Sequence, residues 1–412
     1  MSEIFCGIDW AERHHDIALV DQDGSQVAKL RISDDSADFH ALIELLTRHG
    51  DSAEHPIPVA IETPRGLLVA SLRATGRQVY AINPLAPARY RDRASVSRAK
   101  SDAADARVLA NILRTDRHAH RRPLPDDSEA GQAVAVLARA HQDAIWDRQQ
   151  MMNRLRSHLR EYYPAALIAF HGPGKPGLDS PRARVILTAA PTPADAAKLS
   201  RSQLRALLKR GERPRCGIEA EVERLRAIFR ADYLRQLPQV EQALGHQAVA
   251  LIRQIDASCN SAAGLAAATE EAFLAHPDAE IITSFPGLSV LSGARVLAEL
   301  GDDRERFADA RAMKAYAGAA PITRAPGRSH VVVARTVKNQ RLASAGHMWA
   351  FAALRTQAPR GHYDRRHAGG EHHTAALRNL FNKLLGCLYH CLQRRTLFDP
   401  DRAFAAPLEL AA

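Results

Sequence analysis

The stretch "RAKSDAADARVLANIL", Arg98 to Leu113, sets Asp102 and Asp105 three residues apart on an alanine-rich helical pattern, behind a run of basic residues. Side chains three apart on a helix are neighbours, about 5 to 6 Å between Cβ atoms, so two like charges repel there unless something positive lies between them. Two further acidic residues close apolar runs: Asp9 follows "FCGI" and Glu62 ends "VAIE". Four gathered carboxylates disfavour one another's ionisation. Divalent cations resolve the conflict. Mg²⁺ (or Mn²⁺) takes a few carboxylate oxygens and keeps its other places for water and phosphate, and two such ions about 3.5 to 4 Å apart serve in-line displacement at phosphorus. Asp9, Glu62, Asp102 and Asp105 are therefore candidate metal ligands and catalytic groups. The plainer alternative for the helix pair makes Asp102 a helix-start residue favoured by the dipole and pairs Asp105 with Arg107 or Arg98.

The elements that must position these residues lie in the first 117. "EIFCGIDWA", "HDIALVDQDG" and "QVAKLRISDD" read as three strands of an antiparallel meander. "ADFHALIELLTRHG" has helical spacing and a glycine stop, "IPVAIETP" is a buried-type strand, and "GLLVASLRATG" and "QVYAINP" add a helix and a strand before the helix of Asp102. The order βββαβαβα predicts a mixed sheet whose strand ends share one rim, with the acidic residues on it or beside it.

Composition frames that site. The chain has 412 residues, 46% of them hydrophobic, which suffices for two or three domains with real cores. The net charge of +10 comes largely from arginine spread along the chain, which favours a folded nucleic-acid-binding surface; an arginine-rich proteome is the alternative. No apolar run reaches the roughly 18 residues that a membrane span needs, and "MSEIFCGIDW" has neither a charged leader nor a cleavage site, so a soluble cytoplasmic protein with no membrane partner is expected. Cys6, Cys216, Cys259, Cys387 and Cys391 are odd in number and form no CxxC, which argues for reduced thiols and against a cysteine zinc site.

The rest of the chain reads as helical. From "PDDSEAGQAV" to Pro164 runs one long helix in which Ala138, Ile145, Met152 and Leu159 recur every seven residues, interrupted by His141 and Arg148 on the adjoining seam. It is either an imperfect coiled coil between subunits or an amphipathic helix packed inside its own chain. Arg139, Arg148, Arg154, Arg156 and Arg160 also suit it to a nucleic-acid backbone. "HGPGKPGLDSP" reads as a loop, and "SRSQLRALLKRGE", "IEAEVERLRAIFRADYLRQL" and most of residues 240–277 as helices. "FPGLSVLSGARVLAEL" joins a Pro-Gly turn to a helix, a phosphate-binding turn or a plain helix start. His367, Glu371, His372 and His373 lack a third-ligand frame and read as a polar loop, while Cys387 and Cys391 fall in a leucine-rich core helix.

"GIDWAERHHDIALVDQDG", "AIETPRG" and "AINPLAPARYRDRASVSRAKSDAADARVLANIL" together resemble the RuvC-like, RNase H-fold domain of DEDD-type insertion-sequence transposases, a group that includes the Piv-type DNA invertases. Asp9, Glu62, Asp102 and Asp105 match its D, E, D, D order. "FADARAMKAYAGAAPITRAPGRSHVVVARTVKNQRLASAGHMWAFAAL" continues the resemblance into the family's transposase domain. The resemblance implies an RNA-guided recombinase: a structured bridge RNA pairs with donor and target DNA, and a serine in the basic hairpin attacks the DNA phosphate. This chain departs from the pattern there. Pro326-Gly327 occupies the slot of the family's Ser-Gly, and the nearest hydroxyls are Thr323 and Ser329. Ser329 is the candidate nucleophile, against a solvated hairpin serine. Arg324, Arg328, Arg335, Lys338 and Arg341 are candidates to grip phosphates.

The expected organisation is an RNase H-like (RuvC-like) mixed-sheet domain over residues 1–117, a helical or coiled-coil and linker region over 118–235, and a mainly helical transposase domain over 236–400. The expected function is strand exchange on donor and target DNA by a homo-oligomer, dimer or tetramer, in the nucleoid of a prokaryotic cytoplasm. The alternatives are a nucleic-acid-binding relic whose nucleophile was lost at Pro326, and a metal-dependent nuclease of branched DNA in which water is the nucleophile.

Overall fold

Near the N-terminus apolar residues stand in short β-type runs, and over most of the remaining chain they recur at helical spacing. The structure, a computed structural model, follows that change of pattern and describes residues 3–94, 102–120, 123–211, 217–324 and 331–404. The chain divides into two compact units, Met1–Asp126 and Asp127–Ala412.

The first unit contains β1 (Phe5–Trp10), β2 (His15–Val20), β3 (Gln26–Ile32), α1 (Ser36–Arg48), β4 (Val59–Ile61), α2 (Leu67–Ala74), β5 (Val79–Ala81), α3 (Leu85–Ala94) and α4 (Asp102–His120). The expected βββαβαβα order is present, with α3 as an added helix. The five strands form one sheet in the order β3-β2-β1-β4-β5. β1, β2 and β3 are antiparallel, whereas β4 pairs parallel with both β1 and β5. This is an RNase H-like mixed sheet. Its two faces carry different cores: Cys6, Ile8, Val59 and Ile61 pack with Leu42, Leu46 and Leu72 of α1 and α2, while Phe5 and Ala60 pack with Leu109, Ala110 and Leu113 of α4. Buried Asp51 and Arg77 pair beneath the first of these cores.

The second unit is helical: α5 (Glu129–Tyr162), α6 (Pro164–Phe170), α7 (Pro181–Ala189), α8 (Pro193–Lys198), α9 (Arg201–Arg210), α10 (Ile218–Arg230), α11 (Pro238–Leu274), α12 (Ala279–Thr283), α13 (Val290–Leu300) and α14 (Ala310–Tyr316) precede a hairpin of β6 (Ile322–Arg324) and β7 (Val331–Val333), and α15 (Gln340–Ala353), α16 (Gln357–Ala368), α17 (His373–Arg394) and α18 (Pro400–Phe404) follow it. Caps explain many of the starts. Ser128 accepts from the Gly131 N–H, Ser200 and Ser289 form capping boxes, and Pro164, Pro181, Pro193 and Pro238 occupy first-turn positions where no N–H is needed.

α5 is the long helix that the sequence pattern predicts. Along its length it packs against α11 of the same chain: His158 Nε2 contacts the Leu244 carbonyl at 2.7 Å, and the Ser258 hydroxyl donates to the Ala144 carbonyl. Val134 and Ala138 lie in one core with α12–α17, and Leu155, Leu159 and Tyr162 in another with α6–α10. Much of the heptad seam is therefore covered within the chain. No helix among the described residues is long and apolar enough to cross a membrane.

Candidate active site

Strand register brings the first two carboxylates together. Cys6, Gly7 and Ile8 of β1 lie opposite Val59, Ala60 and Ile61 of β4, so the next residues, Asp9 and Glu62, stand side by side where these two parallel strands end. Alternation then assigns them to a face. Ile8 and Ile61 belong to the α1/α2 side, and Asp9 and Glu62 continue the positions of Gly7 and Ala60 on the α4 side.

Gly7 sets the position of α4. A Cβ there would overlap the Ala106 carbonyl and the Ala110 amide, so the helix backbone rests directly on the strand. Farther along, Arg114 Nη1 donates to the Gln22 carbonyl at 3.1 Å and Arg117 pairs with Glu3 at 2.9 Å, both beside the start of β1. α4 thus runs antiparallel to β1 and returns its first turn to the end that carries Asp9 and Glu62. Asp105 lies in that turn and is only 5% exposed, and Asp102 is the first residue of the helix.

The structure therefore puts all four acidic positions at one end of the sheet. An all-carboxylate set is the donor chemistry of a hard divalent cation, with no soft ligand to favour zinc. Among the described residues, no three His, Cys, Asp or Glu side chains close into a metal-holding group. The side chain of Asp102 lies outside the described residues. One neighbour escaped the sequence reading. Asp16 of β2 is the cross-strand partner of Asp9, is nearly buried, and is held bidentately by Arg31 at 3.0 and 2.9 Å. Its signal was an acidic residue inside the otherwise apolar strand "HDIALV".

In the second unit the predicted residues fare unevenly. β6 and β7 form the expected hairpin, with Thr323 exposed on β6 and Arg324 at its end. Pro326, Gly327, Arg328 and Ser329 lie outside the described residues. Lys338 lays its carbon stem over Gly318 in the Tyr316-Ala317-Gly318 turn. Arg335 is half-buried, with its Nε lacking a partner. Arg341 pairs with Asp143 at 2.7 Å and covers the Trp146 ring at 4.8 Å, so its guanidinium is engaged within the chain. The same holds for two arginines of α5: Arg139 binds Glu299 at 2.8 Å, and Arg148 lies 3.9 Å from Asp179.

Glu299 is the centre of a network that sequence reasoning missed. Only 4% exposed, it accepts from Arg139 and, at 2.6 Å, from Asn339 Nδ2, which also donates to the Tyr316 hydroxyl at 2.7 Å. Asn339 caps α15 directly after the hairpin. Burial works against the Arg139 charge, but the Glu299 carboxylate outweighs it and raises the Arg139 pKa. The "KNQRL" cap was visible in the sequence; its partner 40 residues upstream was not.

The Pro-Gly turn is anchored inward. Trp349 Nε1 donates to the Pro286 carbonyl at 3.0 Å, and Gly287, at φ +84°, presses on the α15 backbone at Ala353. His373 Nδ1 meets the Tyr363 hydroxyl at 2.7 Å and His367 Nδ1 the Glu371 carbonyl at 2.8 Å; the expected polar loop is confined to 369–372, with His367 inside α16 and His373 opening α17. Cys387 and Cys391 pack against the core as free thiols.

Comparison with known proteins matches both units. Residues 6–164 match the DEDD_Tnp_IS110 family, described as Transposase, and residues 279–364 the Transposase IS116/IS110/IS902 family. The chain is 63% identical to the Mini-circle putative transposase for IS117 of Streptomyces coelicolor, over 99% of this chain and 98% of that protein. The chain belongs to the IS110 family of insertion-sequence transposases. Within the family it is also 30% identical to the insertion element IS116 44.8 kDa protein of Streptomyces clavuligerus, over 96% of both chains, and 27% identical to the insertion element IS900 42 kDa protein of Mycobacterium paratuberculosis, over 98% of this chain and 99% of that one. As transposases, IS110-family proteins cut and rejoin DNA, and both family matches fall on the regions that hold the predicted residues.

Proposed function

We propose that this transposase exchanges strands between donor and target DNA under the guidance of a structured bridge RNA, with Asp9, Glu62, Asp102 and Asp105 holding Mg²⁺ (or Mn²⁺) and Ser329 supplying the nucleophilic oxygen. The observation that carries the metal-site reading is the register of β1 against β4, which sets Asp9 beside Glu62 at the end of the sheet to which α4 returns Asp105. A divalent ion bound there supplies positive charge to the phosphate oxygens during in-line displacement. The chain's own part is to hold the carboxylates on rigid strand ends and keep Asp105 out of bulk water. The serine oxygen bonds to phosphorus as the bond to the departing deoxyribose oxygen breaks. Arg324, Arg328, Arg335 and Lys338 hold the strand by its phosphates, with Arg341 contributing least because Asp143 and Trp146 already occupy it. RNA guidance rests on the family resemblance. The active species is a homo-oligomer, dimer or tetramer, working on the nucleoid.

Asp102→Asn tests the metal site. Cleavage of donor and target duplexes, measured with guide RNA and Mg²⁺, should fall about a thousandfold or more, equivalent to about 4 kcal/mol, while nucleic-acid binding persists. Unchanged cleavage overturns the assignment. Pro326 favours a second reading, a nucleic-acid-binding relic. Tight binding with no cleavage and no covalent adduct, and an adduct gained on Pro326→Ser, would establish that reading; an adduct in the natural sequence that Ser329→Ala abolishes establishes the first. Mg²⁺-dependent nicking with no adduct would instead indicate a nuclease that uses water. Light scattering of the complex checks the assembly, and a monomer with RNA and DNA present would refute it.

A further inference from the structure

At the end of the sheet that carries the carboxylates, but on its opposite, α1/α2 face by strand alternation, stands an aromatic residue that none of the chemistry above uses. Trp10 ends β1 directly after Asp9 and is 47% exposed, although Phe5, Cys6 and Ile8 of the same strand are buried. Its ring is not loose. It stacks on His15, its cross-strand partner on β2, with centroids 6.2 Å apart and planes within 19°. His15 is itself 1% exposed and fixed at both ring nitrogens: Nε2 lies 3.0 Å from Asp34 Oδ1, and Nδ1 accepts from the Ala11 N–H at 3.4 Å. A buried, twice-anchored imidazole thus backs one face of a large exposed indole.

The surroundings suit a nucleic-acid strand. Arg13 in the β1–β2 turn and Arg65 in the β4–α2 loop are exposed at the same end of the sheet, and neither guanidinium has an ion-pair partner among the described residues. Aromatic faces held rigidly beside cationic loops are how proteins engage unpaired bases, because every base offers a π-face and the phosphates take the cations. Strand exchange generates unpaired bases at the cut. A duplex offers no free base face to the indole, since its bases are stacked on each other.

We propose that Trp10 is a stacking platform for an unpaired nucleobase of a strand that passes the carboxylate end of the sheet and places this base on the α1/α2 face, with Arg13 and Arg65 taking nearby phosphates. This rests on the reading of that rim as the cleavage site. His15 and Asp34 are positioning residues that hold the indole at a fixed tilt.

The test uses the full chain with Trp146→Phe, which leaves Trp10 as the exposed tryptophan and Trp349, fully buried, as an internal reference. Short single-stranded DNA and RNA oligonucleotides are titrated separately, with indole fluorescence and the anisotropy of a labelled strand followed together. Quenching that tracks binding is expected, and whichever strand quenches more identifies the source of the base. Trp10→Leu should weaken single-strand binding about tenfold, Trp10→Phe should retain most of it, and duplex affinity should change less than twofold. His15→Leu should reduce the quenching more than the affinity. Anisotropy showing binding without quenching, or equal single-strand affinity for Trp10→Leu, overturns the platform while leaving the rim's cleavage role standing. Absence of any nucleic-acid binding would overturn both.

Discussion

The rim of the sheet and the helices of the second unit both gather charged residues, yet they bring them together by different means. At the rim, backbone geometry alone collects carboxylates of one sign: two strand ends in register, and a helix seated on a glycine. In the helices of the second unit, several arginines are matched with acidic partners. Arg139 meets Glu299 across 160 residues, Arg341 meets Asp143 across 198, and Arg304 meets buried Asp278. Gathered like charge is costly, which makes such a cluster a candidate functional site. Matched charge is the ordinary means of placing arginine in a helical core, so a count of arginines overstates the surface left for DNA.

Gly7→Ala should break the first half of this contrast. Backbone meets backbone at Gly7, so the methyl group has no yielding neighbour; the first unit should lose about 3 kcal/mol or more, and cleavage should vanish with it. Calorimetry should show the transition of the second unit unmoved. A neutral Gly7→Ala would mean that α4 does not depend on that seat. Glu299→Leu tests the other half. It strands Arg139 and Asn339, but the Arg139 side chain is 44% exposed and partly rehydrates, so the expected loss is about 2 kcal/mol, below the 3 to 5 of a fully buried pair. Chemical denaturation measures it, and no loss would show that the pair is dispensable.

A smaller effect concerns acid. Burial raises the Asp302 pKa, but the Ser128 hydroxyl and N–H and the His276 ring, 3.1 Å away, outweigh it and hold the carboxyl below its usual value. A lowered native pKa makes the contribution fully present above the unfolded value of 3.8 and lost as pH falls through the native one. Asp302→Asn should therefore lower Tm by roughly 2 to 4 °C at pH 7, and the difference should shrink as pH drops below about 4. A difference that does not change with pH would remove Asp302 from the acid response. The smallest effect separates engaged from available cations. Arg341→Ala should cost about 1 kcal/mol of stability and reduce DNA affinity and its salt dependence less than Arg335→Ala. The reverse order would place Arg341 on the DNA.

What could be read in advance follows the same division. The strands, the long helix from 129 to 162 and the acidic positions were legible because each depends on local period, a cap or a strand end. Gly7 stood in plain view inside "FCGIDW", but nothing local told that it faces Ala106 and not solvent. Glu299 and the engagement of Arg139 and Arg341 were illegible for one physical reason. A salt bridge between distant segments exists only after the helices have packed, and leaves no periodic trace in either segment. The heptad-like seam of α5 was ambiguous in the same way, since a helix carries one pattern whether its partner is another subunit or, as with α11, its own chain.

α5 and α11 have a mechanical consequence. At about 1.5 Å per residue, their 34 and 37 residues make continuous rods of roughly 50 and 55 Å, and each rod contributes to both hydrophobic cores of the second unit. Neither core can melt without unwinding half of a helix that the other still holds. The two ought to exchange their slowest amide protons together, as one cooperative block, despite having almost no apolar side chains in common.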